Sequence, residues 1–149
     1  MTRSTVAQAR NERDGVPVKA NRAVLRETPE ELIARVRVGF GYREFEFMQE
    51  HLELSLRDLA RLIQIPERTL TRRKQAGRLA PDESERLLRL ERLLALAEEM
   101  FCDVDEAVRW LKTPKSALGG NVPLEYAATE VGAREVENLI GRIRHGVFS

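Results

Sequence analysis

Between Pro81 and Phe101 the chain carries apolar residues on too many helical positions for one face. Leu87, Leu90, Leu94, Ala97 and Phe101 recur at spacings of three and four and define one stripe. Leu88, Leu93, Leu96 and Met100 widen it. A helix with so broad an apolar surface is buried on more than one side. The fold has to wrap this segment, as a spine within one chain, as a seam between two copies, or as both.

The remaining sequence offers only helices for the wrapping. Charged residues make up 33% of the 149 residues and aromatics 5%, and Leu, Ala, Glu and Arg dominate. These are helix formers, and no period-two pattern marks a strand. The fold class is therefore all-α. Thr28, Pro29 and Glu31 form an N-terminal signature, with a capping box, ahead of Leu32, Ile33, Val36 and Phe40 on one face. Gly39 and Gly41 end that helix. A second helix over residues 42–51 buries Phe45 and Met48. Asp103 and Glu106 cap a helix in which Val104, Ala107, Val108 and Leu111 face inward beside Trp110. Thr113 and Pro114 break it, and Pro123 starts a short helix to about residue 128. Glu130–Ala133 reads as a turn, followed by a last helix over 133–144 with Val136, Leu139, Ile140 and Ile143 inward.

The segment from Leu54 to Leu79 has a different character. Ser55 caps a helix carrying Leu56, Leu59, Ala60 and Ile63 at helical spacing. Gln64-Ile65-Pro66 is a short break, with Pro66 at the first position of the next helix, and Gly77 ends that helix. Two helices that cross tightly need a small residue at the contact, and Ala60 supplies it. Ile63 and Leu70, supported by Leu59 and Ile65, lock the angle. A helix-turn-helix places its second helix in the major groove, N-terminus first. Glu67, Arg68, Thr69, Thr71 and Arg72 have side chains able to meet base edges. Arg73, Lys74 and Arg78 lie later, where phosphates are the targets. Gln64 stands where such turns often carry Gly, so it takes a left-handed conformation at some cost, or the turn differs. The plainer alternative is a structural helix pair with a solvated basic face.

Net charge is only +1, but it is unevenly spread. Residues 1–26 hold six Lys/Arg against two Asp/Glu, 27–65 five against eight, 66–81 five against one, and 82–149 nine against thirteen. Screening beyond about 10 Å makes the local patch matter more to a polyanion than the total. Residues 1–26 read as a loose basic arm. They lack the apolar stretch of a secretory signal, and the chain has no run long and apolar enough for a membrane span. With a single cysteine, Cys102, there is no internal disulfide, and the cytoplasm is the expected compartment.

Catalytic patterns are missing. His51 and His145 stand far apart and in no metal-ligand spacing. Cys102 reads as a buried small residue rather than a nucleophile. Asp103, Asp105 and Glu106 cluster, but Asp103 and Glu106 already have a capping role. No phosphate-cradling glycine motif occurs. The expectation is a protein without enzymatic activity, cofactor, metal or membrane partner.

The helix-turn-helix resembles that of Xre/Cro-type repressors. Residues 110–148 resemble the toxin-binding domain of the ParS/Xre/MbcA antitoxins, through Trp110-Leu111, Pro114, Leu118-Gly119-Gly120, Pro123-Leu124, Gly132, Val136, Leu139, Ile143 and Gly146-Val147-Phe148. Membership implies a type II antitoxin that blocks the active site of a RES-domain toxin, an NAD⁺-degrading enzyme with an ADP-ribosyltransferase-like fold. It also implies repression of the chain's own operon through operator DNA. Toxin contacts are then expected at Leu118, Gly119, Gly120, Asn121, Pro123, Arg142 and Gly146, with Val147, Phe148 and the Ser149 carboxylate plugging the toxin's pocket. Gly119 and Gly120 allow turns and close approach closed to other residues. A tail folded back on its own core and a loop that is only a connector are the plainer readings. The domain plan is an arm at 1–26, a helix-turn-helix region at 27–80, and a spine or dimerisation helix plus a toxin-binding domain at 81–149. A homodimer is expected, because paired half-sites need two reading helices. The competing functions are a stand-alone regulator whose second half only dimerises, and an interaction protein that no longer binds DNA.

Overall fold

The computed structural model describes residues 24–146. Among them are eight α-helices: α1 Pro29–Val38, α2 Tyr42–His51, α3 Leu56–Leu62, α4 Glu67–Ala76, α5 Pro81–Phe101, α6 Val104–Leu111, α7 Pro123–Tyr126 and α8 Glu130–Arg144. A single 3₁₀ turn, Ser116–Leu118, lies between α6 and α7. No strand occurs among the described residues, so the all-α class holds.

The long helix α5 is the spine. Leu87, Leu90, Leu93, Leu94, Ala95 and Ala97 are all but fully buried. α6 and α8 pack along it and α1 touches it. One continuous apolar core joins Phe45, Met48, Leu59 and Ile63 of the first half to Leu111, Leu124, Val136 and Ile140 of the second. It runs across the boundary expected at residue 80. Leu87, Leu90, Leu93 and Leu94 are covered within one chain, while Leu88 and Leu96 on the widened stripe are half-buried. Burying one such side chain contributes about 1.5–3 kcal/mol.

Polar atoms on the spine have partners. Ser84 is fully buried; its Oγ accepts from the Phe40 N–H and donates to the Ala80 carbonyl, both at 2.8 Å. Glu83 takes Arg73 and the Ala80 N–H. Glu91 is buried beside Glu44, and both carboxyls are pushed upward. For Glu91 the cause is burial first and the neighbouring Glu44 charge second. Arg35 completes the group, donating to Glu27 at 2.5 Å and Glu44 at 2.6 Å and lying over the Phe40 ring.

Local signals account for most boundaries. Thr28 and Glu31 form the capping box, and Ser55 and Asp103 accept the N–H groups of Asp58 and Glu106. Five expectations change. Ile33 is half exposed and no α1 residue is fully buried; Leu32 and Val36 are half-buried, with Val36 against the core, and Arg35 adds bonds to Glu27 and Glu44. Pro66 is the N-cap of α4, one position before its expected place. Val24 is buried, so the packed body begins inside the stretch read as the arm. Cys102 is exposed, in a left-handed conformation that ends α5. Finally, Glu130–Ala133 is the first turn of α8 and not a separate turn. Thr129 caps it by accepting from Gly132, whose missing side chain admits the Tyr126 carbonyl. Residues 1–23 of the arm, and Val147, Phe148 and Ser149 with their expected role as a plug, lie outside the described residues.

Candidate nucleic-acid interface and a second binding surface

α3 and α4 cross at a buried Ala60, with Leu59, Ile63 and Ile65 buried around the contact and Leu70 half-buried. The turn between them depends on Gln64, which sits at φ 61°. That left-handed conformation is strained for a residue with a side chain. It is held by the Ile65 N–H, which donates to the Ala60 carbonyl at 2.8 Å. The turn thus has the geometry expected of a helix-turn-helix without the glycine.

No residue of α4 is buried. Glu67, Arg68, Thr71, Arg72, Lys74 and Gln75 are exposed, and Thr69 is half-buried. The side chains of Arg68, Arg72 and Lys74 make no hydrogen bond or ion pair with any described residue, so three cations project free from one helix. The other expected contacts have partners inside the chain. Glu67 pairs with Arg57 at 3.2 Å. Arg73 makes a two-pronged bond to Glu83, at 2.8 and 3.2 Å, which holds its guanidinium above its ordinary pKa. Arg78 donates to the carbonyls of Val38 and Gly39. Arg73 and Arg78 therefore fasten the end of α4 to its surroundings. Gly77 closes α4 at φ 74°, and its carbonyl accepts from the Tyr42 N–H at 3.0 Å. This bond ties the first turn of α2, with an exposed Arg43 whose side chain has no partner among the described residues, to the end of the basic helix. Nothing local in the sequence connects Arg43 with that helix, since more than thirty residues separate it from Gly77.

The second surface is built by the segment from the end of α6 to Gly146. After the 3₁₀ turn, Gly119 and Gly120 take φ 65° and 82°. Their turn is closed by the Lys115 N–H to the Asn121 carbonyl at 3.1 Å and by Asn121 Nδ2 to the Leu118 carbonyl at 2.7 Å. Leu118 and Pro123 are buried and anchor the loop from inside, whereas Gly119, Gly120 and Asn121 are exposed at its tip. Arg142 is partly exposed near the end of α8, and Gly146 follows at φ 68°.

Side chains brace the two surfaces against each other. Arg61 of α3 holds Glu125 of α7 through two bonds of 3.0 and 2.7 Å, which depresses the Glu125 carboxyl. Lys112 donates to the Leu52 and Glu53 carbonyls beyond the end of α2. Of the two histidines, His51 stacks on Phe47 at 4.1 Å and burial holds its pKa down, while His145 is exposed past α8. No helix among the described residues is long and apolar enough to cross a membrane.

Comparison with known proteins finds a matching domain for each half of the chain. Residues 31–92 match the model of the antitoxin Xre-like helix-turn-helix domain. Residues 96–146 match that of the antitoxin Xre/MbcA/ParS C-terminal toxin-binding domain. The chain is 38% identical over 120 residues to Antitoxin Xre of Yersinia enterocolitica, covering 79% of this chain and 81% of that one. It is 40% identical over 94 residues to Antitoxin Xre of Photorhabdus laumondii, covering 62% and 64%. Similarity to the Prs ADP-ribosylating antitoxin of Sphingobium sp. is lower, at 23% over 145 residues, but spans 91% of each chain.

Proposed function

The chain belongs to the Xre antitoxin family, as a type II antitoxin with a helix-turn-helix and a toxin-binding domain, and we propose that its target is a RES-domain, NAD⁺-degrading toxin whose active site it blocks. The toxin does the chemistry and this chain does none. It works in the cytoplasm, as a homodimer, and represses its own operon by binding operator DNA.

The observation that carries the DNA half is the outward row of unpaired Arg68, Arg72 and Lys74 on an α4 that buries nothing. Most other arginines of the described surface are engaged by carboxylates, such as Arg61, Arg92, Arg109, Arg134 and Arg144. A cation without an internal partner is available to a phosphate or a guanine edge. Arg68 and Arg72 read bases with Thr71, while Lys74 and Arg43 hold phosphates. The toxin half is supported by the match over residues 96–146. The name of the Sphingobium relative couples an antitoxin to ADP-ribosylation, a reaction class that consumes NAD⁺, and this supports an NAD⁺-directed toxin here.

The test is co-expression with the protein encoded by the adjacent gene, scoring growth and intracellular NAD⁺. Protection with restored NAD⁺ is the expected result. A toxic neighbour that leaves NAD⁺ untouched sinks the RES assignment. A RES neighbour against which the chain gives no protection sinks the pairing.

A further inference from the structure

Three non-glycine residues among those described take the left-handed conformation, Glu53, Gln64 and Cys102. Cys102 ends α5, whereas Glu53 and Gln64 lie in the turns at the two ends of α3. That conformation is strained for a residue with a side chain. α3 has only seven residues, and the chain enters and leaves it through strained backbone.

Each end of α3 is gripped from the second half of the chain. Ahead of it, Lys112 Nζ donates to the Leu52 and Glu53 carbonyls at 3.0 and 3.1 Å. At its last turn, Arg61 donates with both prongs of its guanidinium to Glu125, and Gln64 Nε2 lies 3.5 Å from the Ala128 carbonyl. Both grips stand on anchored backbone: Lys112 follows the fully buried Leu111, and buried Leu124 and Ala127 flank Glu125. The base-reading end of α4 depends on this arrangement. α4 buries no residue of its own, and Arg73 and Arg78 fasten only its far end. Its first half, with Arg68, Thr71 and Arg72, is held through the Gln64 turn and the crossing at Ala60, and so takes its direction from α3. Binding groups have to be held to within about 0.5 Å and 10–20° of the productive geometry.

We propose that Lys112 and Glu125 are positioning residues for operator binding, which fix the pitch of α3 and, through it, the entry of α4 into the major groove. The proposal rests on the reading that the chain binds its operator. Both residues lie outside the stretch that matches the helix-turn-helix domain and inside the one that matches the toxin-binding domain. The second half of the chain is thereby part of the DNA-reading device. The Arg61 and Glu125 side chains are 57% and 48% exposed, so their pair contributes little to stability. What a two-pronged bond supplies at this place is direction.

The test titrates the chain's own promoter DNA and an unrelated duplex, over a series of salt concentrations, with full-length wild type, Lys112→Met, Glu125→Gln, Arg61→Glu and the double variant Arg61→Glu/Glu125→Arg. The melting temperature of each is measured beside it. Lys112→Met and Glu125→Gln are expected to melt within about 3 °C of wild type. They are expected to bind the operator about tenfold more weakly, as one misread base pair would, with unchanged salt slope and unchanged affinity for unrelated DNA. The double variant is expected to recover the operator affinity that Arg61→Glu loses. Wild-type operator affinity in both Lys112→Met and Glu125→Gln overturns the proposal. Equal losses on operator and unrelated DNA also overturn it, since the grips would then only stabilise the fold. So does a double variant as weak as Arg61→Glu with a salt slope lower by about one, which would make Arg61 a phosphate contact. If wild type binds its promoter no better than unrelated DNA, the underlying reading falls instead.

Discussion

Gly132→Ala tests how closely α7 approaches α8. Gly132 is in the first turn of α8, and an added Cβ would lie 1.7 Å from the Tyr126 carbonyl oxygen and 2.7 Å from its carbon. An ordinary carbon–oxygen contact is about 3.3 Å. The obstruction is backbone, so no side chain can swing aside. α7 must retreat, and with it the buried Pro123, Leu124 and Ala127. Overpacking costs about 1–3 kcal/mol, and this case belongs at the upper end. Alanine returns at most about 1 kcal/mol through helix propensity. The net expectation is a loss of about 2 kcal/mol, which lowers the melting temperature by roughly 4–8 °C in a chain of this size. Urea titration followed by circular dichroism gives the free energy, and the same variant should neutralise toxin poorly at elevated temperature. A melting temperature equal to or above that of wild type would refute the reasoning, because propensity would then have outweighed the clash. Gly141→Ala on the same helix, where a Cβ would meet nothing within 4 Å, is the internal control, with the opposite sign.

Arg68→Ala should weaken operator binding by about 1–3 kcal/mol and relax sequence preference at one position, whereas Lys74→Ala should weaken all sequences alike and reduce the salt slope by about one; binding titrations at several salt concentrations separate the two. Ser84→Ala leaves the buried Phe40 N–H without its acceptor and should cost about 1–3 kcal/mol in chemical denaturation. A carboxyl whose pKa is raised on folding contributes stability that is full below its unfolded value and is lost as pH rises through its folded value. Glu91 is such a group, so Glu91→Gln, whose amide can still donate to Glu44, should gain on wild type as pH climbs above about 4.5. A gain that shrinks with rising pH would contradict this.

The sequence made the helices legible where the cause of a boundary is local. Thr28, Ser55 and Asp103 cap helices through atoms three residues away, and Gly77 ends α4 by its own backbone freedom. The spine was legible because its apolar width has no other solution than burial. The helix-turn-helix was legible from the order of a small residue, a break and a basic helix, and of the two readings open for Gln64 the structure takes the strained left-handed one.

Where the cause is distant, the sequence misled or was silent. The glycine of Glu130–Ala133 looked like a turn signal, but it answers to a carbonyl on a neighbouring helix. Arg73 and Arg78 looked as free as Arg72, yet Glu83 and the Val38 and Gly39 carbonyls engage them. Arg43, Lys112 and Glu125 carried no signal at all, since what distinguishes each is a neighbour in space. By itself the sequence determined the helical class, the caps, the spine and the family. Only the tertiary structure decided which exposed charges remain unpaired, because a side chain's availability depends on every element packed around it and not on its own residue type.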